Sequence, residues 1–445
     1  MTVPLMIHLL LVCVLAFLCF RLLREKTLHK LLALSLAFAI FLWYLAPGIF
    51  VVAFPYETIA SSLTGHTEDE FFFAYALEAG AVCLIIGALL LISRAFPGRQ
   101  NNALAMAPGN GATWFILGLY SVAIVLYMLF GMVDYLEANA ASLYEEKTGN
   151  SLLTMLRQFL AAAAVLLAVE ARSRKKIFYA AFGLICADSI LAVISGSRIA
   201  LFMPLVILAF TSFDRHLVRR KNLVIAFVAL VFTAAIIVPV ATVIGNVRGQ
   251  GLTISEIQDS DEVETDEGIT FVLTNVASMV FGKFDSFSMG LTLLDRAGGP
   301  GAGGVTPYVG SALVFIPRVI WPGRPVAGSS DGTIYGHPTR IVPSVLDPGY
   351  DSFNVGISPL HIAVWQLGYL GALCFVIAST GYILFLNRLL KADFLSSTLA
   401  VFLLSIPSFH MLITSPDATV MQLALAVPLL LAIKLSRDIF VKGYA

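Results

Sequence analysis

Gly245–Gly356, reading GNVRGQG…FGKFDSF…LVFIPRVIWPGRP…HPTRIVPSVLDPGYDSFNVG, is the one long polar passage in an otherwise lipid-soluble chain. It carries Arg248, Lys283, Arg296, Arg318, Arg324 and Arg340, and the blocks on either side are apolar for long enough to cross a bilayer. Working outward from it, 58% of the 445 residues are hydrophobic and 13% charged, against about 25% charged in soluble domains. Mean hydropathy is +0.88. The pattern predicts an all-α fold: a polytopic bundle of transmembrane helices with one large extracytoplasmic loop. A formal net charge of +0 offers no basic stripe, so a nucleic acid partner is not expected. Cys13, Cys19, Cys83, Cys186 and Cys374 all fall in apolar blocks, which makes neither a disulfide framework nor a zinc site.

Eleven stretches have the length and apolarity of a span: 4–20, 31–54, 71–93, 112–130, 151–169, 177–195, 199–213, 222–245, 358–387, 394–413 and 417–435. The first has no basic residues before it and no small-residue cleavage site after it, so it reads as a span and not as a signal peptide. If odd-numbered spans run toward the cytoplasm, the inner loops hold 19 of the 28 Lys and Arg residues. That bias places the amino terminus outside and the carboxyl terminus in the cytoplasm. Three blocks follow: an N-terminal bundle (1–245), the outer loop domain (246–357) and the C-terminal spans (358–445).

Within the loop, Glu256–Glu267 (EIQDSDEVETDE) is a solvated charge run without EF-hand spacing. Ile269–Leu294 reads as an amphipathic helix pair that needs lipid or the bundle as partner. Gly298–Gly304 (GGPGAGG) reads as a flexible connection, without the Gly-Lys-Ser/Thr of a P-loop. Ser311–Trp321, closed by Pro322, is too short to span and is expected as a re-entrant or interfacial helix.

Ionisable residues inside a bilayer are expensive, which singles out Glu78 and Asp188. Either is a candidate partner for Arg198 in the turn SGSR, an arginine after small residues that suits an anion. The alternative is an ion pair that only fixes packing. Ile316–Pro325 (IPRVIWPGRP) is the most specific pattern in the chain. Three prolines fix its backbone, Arg318 and Arg324 present planar forks matched to phosphate oxygens, and Trp321 between them is an interfacial anchor or a sugar-stacking ring. Asp285 and Asp351 are candidates for a general base, with helix capping as the alternative for each. His361 and His410 are candidates of the same kind, against the plainer reading of packed, hydrogen-bonded histidines. No metal-ligand spacing, nucleophile elbow or H-E-x-x-H occurs.

The GSR turn (Gly196, Ser197, Arg198), the PRxIWPxRP element (Pro317 to Pro325) and Asn354 with Gly356 before the next span, set in this topology, resemble the Wzy-type oligosaccharide repeat-unit polymerases of bacterial O-antigen and exopolysaccharide assembly. The motif likeness covers a small part of the chain and departs from the family where Arg324 stands for the more usual Lys. The resemblance implies a glycosyltransferase of the bacterial inner membrane that moves a growing glycan from undecaprenyl diphosphate to a hydroxyl of a lipid-linked repeat unit. It implies Arg198, Arg248, Arg318 and Arg324 on the diphosphates, stabilising the leaving group as charge develops on it, with Arg318 counted among the catalytic residues. Lys283, Trp321, Arg340 and Asn354 would line the substrate site, and Asp351, Asp285 or His361 would be the base. Since the glycosyl diphosphate supplies the energy, no cofactor is expected; a chain-length regulator and a flippase would be partners. An O-antigen ligase, a lipid-linked oligosaccharide flippase or transporter, and a non-catalytic assembly protein are the rival readings.

Overall fold

The computed structural model describes residues 3–28, 30–53, 65–95, 110–130, 157, 160, 161, 164, 175–194, 286–314, 316, 320–333, 335–346, 357–390, 415–421 and 423–424. All regular structure among them is helical. Three of these helices are long and apolar enough to cross a membrane: α1 (Val3–Arg24), α4 (Glu68–Ala95) and the span Leu370–Arg388. The chain is a membrane protein. Spans expected at 199–213, 222–245 and 394–413 and the acidic run lie outside the described residues; 151–169 and 417–435 are described only at a few positions.

Contacts divide the chain into two units that cut across the three blocks read from sequence: 1–102 with 281–396 and 408–445, and 103–280 with 397–407. In the first unit α4 is the axis. Its start is set by a capping box: Thr67 Oγ1 accepts from Glu70 N at 3.3 Å, and Glu70 Oε2 accepts from Thr67 N at 2.7 Å. Glu68, Asp69 and Glu70 add negative charge at the positive end of the helix dipole. One face of α4 buries Phe71, Phe72, Tyr75, Glu78, Val82, Ile85 and Leu89, while Phe73, Leu77, Leu84 and Leu91 stay exposed. An outward apolar stripe at helical spacing is what contact with lipid requires.

Residues 30–53 form one continuous helical run: α2 (Lys30–Ile40), a π turn at Phe41–Leu45, and α3 (Ala46–Ala53). Its partner is α1, which also packs along α4. At the far end of α4, Arg94 bonds Glu25 at 3.1 Å, and Asn387 Nδ2 donates to Thr27 O at 3.4 Å, so three spans end together.

At the Glu68 end the chain builds a cap from α7 (Ser286–Arg296), α8 (Thr306–Ala312), α9 (Pro338–Leu346) and α10 (Pro359–Leu367). The apolar residues of α7 find their partners in α4, α9 and α10. Phe287 stands edge-on to Tyr75 and Phe71, with ring centroids 5.2 and 5.9 Å apart. Leu293, Val342, Ile357 and Trp365 form the core of the cap.

Two expectations change here. The span expected at 358–387 is two helices, α10 and α11 (Leu370–Leu390), broken at Gly368, whose φ of 65° only glycine adopts freely. A β-carbon on Gly371 would collide with the Ala363 carbonyl, so the corner is built on glycine. Of Ser311–Trp321, only Ser311 and Ala312 are helical among the described residues: α8 stops at Ala312, and the chain turns at Leu313–Val314 and again at Ile320–Gly323.

The second unit is described through α5 (Asn110–Phe130) and α6 (Lys175–Ile194), which pack together. Arg157 joins them: Nε lies 2.7 Å from Asp188 Oδ1, and the guanidinium covers the Tyr127 ring at 3.8 Å.

Candidate active site

The nine-residue helix α10 is buried nearly all round: Pro359, Leu360, His361, Ala363, Val364, Trp365 and Gln366 are all in the interior. A short helix so enclosed must satisfy its ends and its polar side chains within the protein. Locally its start is dictated by Ser358-Pro359. Ser358, with ψ 127°, is the N-cap whose hydroxyl accepts from His361 N, and proline takes the first turn, where its missing N–H costs nothing.

Glu78 of α4 meets this start. Its Oε1 accepts from Leu360 N at 3.3 Å and from Tyr44 Oη at 3.4 Å, while Oε2 accepts from Ser358 Oγ at 2.5 Å. Ser358 Oγ lies 2.7 Å from His361 Nδ1, which is 3.8 Å from Glu78 Oε2. Carboxylate, hydroxyl and imidazole thus form one chain, with Glu78 and Ser358 at 0% exposure and His361 at 3%. Both oxygens of the buried Glu78 carboxyl have donors, so neither acceptor is left unpaired in the interior. Tyr44 is fixed in turn by Tyr75, whose hydroxyl donates to the Tyr44 carbonyl at 2.5 Å. From the cap side α7 presses a glycine on the imidazole; a β-carbon at Gly290 would lie 2.7 Å from His361 Cγ and 2.9 Å from Nδ1.

The other end of α10 is held by the glycine segment, which is fixed and not the flexible connection expected. Gly301 N donates to Val364 O at 3.1 Å, Gly303 N to Trp365 O at 2.9 Å, and Trp365 Nε1 to Ala297 O at 2.9 Å. Gly303 must be glycine, because a β-carbon would sit 2.6 Å from the Trp365 ring. Gln366 Nε2 donates to Asp417 Oδ1 at 2.9 Å, and the Ser415 hydroxyl donates to the same oxygen. Ser311 Oγ approaches Oδ2 at 3.5 Å. His337 flanks the same spot: a β-carbon on Gly328 would be 2.8 Å from His337 Nε2 and 3.4 Å from Asp417 Oδ2. Burial pulls the His337 pKa below the ordinary imidazole value; Asp417 opposes the shift and Arg340 reinforces it.

Of the residues picked from sequence, His361 is in the carboxylate chain. Trp321 is 41% exposed at a turn, free to act as anchor or stacking ring. Arg324 turns back on its own segment, Nη1 donating to Val314 O at 2.5 Å and Ile316 O at 2.6 Å, so part of its fork closes the turn after α8. Arg340 lies half-buried on α9. Arg198, Arg248, Lys283, Asp285, Arg318, Asp351 and Asn354 lie outside the described residues, as does His410. The partners given to Glu78 are Ser358, Leu360 and Tyr44, and the partner of Asp188 is Arg157.

Sequence reasoning passed over Ser358, Tyr44, Gln366, His337 and Asp417. A signal for two of them was present: Ser358-Pro359 and Ser415-Pro416 both carry the N-cap and first-turn pattern of a helix start. Among the described residues no group of three His, Cys, Asp or Glu side chains could hold a metal ion. Comparison with known protein families, with curated proteins and with solved structures finds no match to this chain.

Proposed function

We propose that the chain is a glycosyltransferase of the bacterial inner membrane that polymerises lipid-linked oligosaccharide repeat units. What supports the reading most is the buried Glu78–Ser358–His361 chain, placed where a membrane-crossing helix meets a cap that also carries Trp321, Arg324 and Arg340. Such a reaction needs a base for an acceptor hydroxyl and cations for a departing diphosphate, both at the join between membrane and cap. His361 takes the proton from the hydroxyl of the incoming unit. The new bond forms from that oxygen to the anomeric carbon, the bond from that carbon to the diphosphate oxygen breaks, and the electron pair leaves with undecaprenyl diphosphate. Arginines of the PRxIWPxRP element, Arg318 foremost, neutralise that charge. By the bias of basic residues the Glu68 end of α4 is the outer end, which puts the Glu78–Ser358–His361 chain in the outer half of the bundle.

Deletion of the gene, with surface polysaccharide resolved on a gel, is the test. Single repeats on the final acceptor are the expected result. Full-length chains retained on undecaprenyl diphosphate would make the protein a ligase, and repeat units trapped on the cytoplasmic side would make it a flippase. Arg318→Ala should insert normally and restore no polymer to the deletion strain; long chains from it would remove Arg318 from the site.

A further inference from the structure

We infer that Glu78 is a positioning residue for His361: through the Ser358 hydroxyl it keeps the imidazole proton on Nδ1, leaves the Nε2 lone pair to take a substrate proton, and receives the displaced proton at the end of the chain. The identity of the substrate rests on the functional reading above; the rest comes from geometry.

Ser358 Oγ has one proton and three polar neighbours: Glu78 Oε2 at 2.5 Å, His361 Nδ1 at 2.7 Å and His361 N at 3.5 Å. The backbone N–H can only donate to it. If Ser358 gives its proton to the carboxylate, it accepts from Nδ1–H, and every contact pairs a donor with an acceptor. The opposite arrangement has a protonated Glu78 donating to Ser358; it keeps every contact, but Oε1 then meets the Leu360 N–H at the start of α10 and the Tyr44 hydroxyl as a neutral carbonyl and not as a charged acceptor. We assign the first arrangement, a Glu78 carboxylate with an Nδ1–H imidazole, to the resting state, and the imidazole tautomer measured below decides it. Among the described residues Nε2 has no hydrogen-bond partner, whereas Ser358 Oγ is committed to its three contacts, so the imidazole and not the hydroxyl is the group left to take a substrate proton.

When Nε2 binds a proton, the Nδ1 proton passes to Ser358 Oγ and the Ser358 proton to Glu78 Oε2. The substrate oxygen has lost one proton, the carboxylate has become a carboxyl, and serine and imidazole are neutral as before, the imidazole now in its Nε2–H form. One incoming proton cancels a buried negative charge and leaves no buried imidazolium, the cheaper outcome in a low dielectric. The steps reverse when the proton leaves for water or the departing diphosphate.

The test is nitrogen NMR of the purified protein in nanodiscs, labelled at histidine, with His361 assigned by its loss in His361→Gln. Wild type should show His361 protonated at Nδ1. In Glu78→Gln the amide N–H donates to Ser358 Oγ, Ser358 must donate to Nδ1, and His361 should switch to the Nε2–H form, while Glu78→Asp keeps the wild-type form. An Nε2–H imidazole in wild type, or an unchanged tautomer in Glu78→Gln, overturns the inference. Where Glu78→Gln does not insert, Ser358→Ala replaces it and should abolish the Nδ1–H preference; retention of that preference overturns the inference equally. In cells Glu78→Gln should lower chain growth by roughly 10²-fold, the scale of proton-transfer catalysis, with Glu78→Asp recovering part of it; full chain growth in Glu78→Gln also overturns the inference. Absence of polymer activity in wild type defeats the functional reading alone, and the tautomer then decides the rest.

Discussion

Glu78, fully buried on a helix of the first unit, and Asp188, half-buried on a helix of the second, are carboxylates set within apolar helices, and the protein answers them in opposite ways. Asp188 meets a permanent cation: Arg157 sits 2.7 Å away and stacks on Tyr127. Glu78 meets hydroxyls, a backbone N–H and an imidazole, none of which carries a fixed positive charge. The first pair neutralises itself and has no reason to exchange protons. The second meets only neutral donors and an imidazole that can pass a proton, the arrangement expected of a group that handles protons and not of one that only fixes helices.

The strongest way to break this contrast is to remove one member of the Asp188 pair. Asp188→Ala strands Arg157 in the interior and should cost about 3–5 kcal/mol of stability, read as lost yield and a lowered melting temperature in detergent. Asp188→Leu with Arg157→Leu should restore most of it, because two apolar side chains leave no buried charge. Glu78→Gln should melt close to wild type while losing chain growth; if it collapses as Asp188→Ala does, Glu78 is a structural clamp and the contrast fails.

Next in size is Gly290→Ala. Its methyl would press on the His361 ring, and overpacking should cost about 1–3 kcal/mol together with chain growth, whereas Gly118→Ala, with nothing within 4 Å, should do neither. Trp365→Phe should lose about 1 kcal/mol through the missing bond to Ala297 O, measured as a modest fall in melting temperature without loss of chain growth. The smallest effect is a pH slope. Since burial holds the His337 pKa below the unfolded value, the unfolded chain takes up the proton first as pH falls below about 6.5. Stability should therefore decline from there downward, and His337→Gln should flatten that slope in melting curves taken between neutral and acid pH.

Much of the framework was legible because it is local. The capping sequence Thr67-Glu-Asp-Glu70, the apolar runs of α1 and α4 and the polarity of Glu78 can each be read from neighbouring residues. The break in the 358–387 span was less legible, because Gly368-Tyr-Leu-Gly371 lies within an apolar run that a hydropathy reading passes over. Arg324 has a second, local role that residue type does not announce. Its residue type suits phosphate, but the turn after α8 leaves carbonyls of Val314 and Ile316 within reach of the guanidinium. The glycine segment, read as loose, proved to be the clamp on the end of α10.

The sequence by itself determined that this is a helical membrane protein with one concentrated polar segment, since partition into lipid depends on the composition of some twenty consecutive residues. It also marked Glu78 as a residue that needs a reason to be buried. Which groups supply that reason was decided only in three dimensions: Ser358 stands 280 positions from Glu78, and Asp417 stands 106 from Ser311. No periodicity or spacing encodes such meetings. They exist because a buried polar group must find its partner wherever the packing of helices brings one.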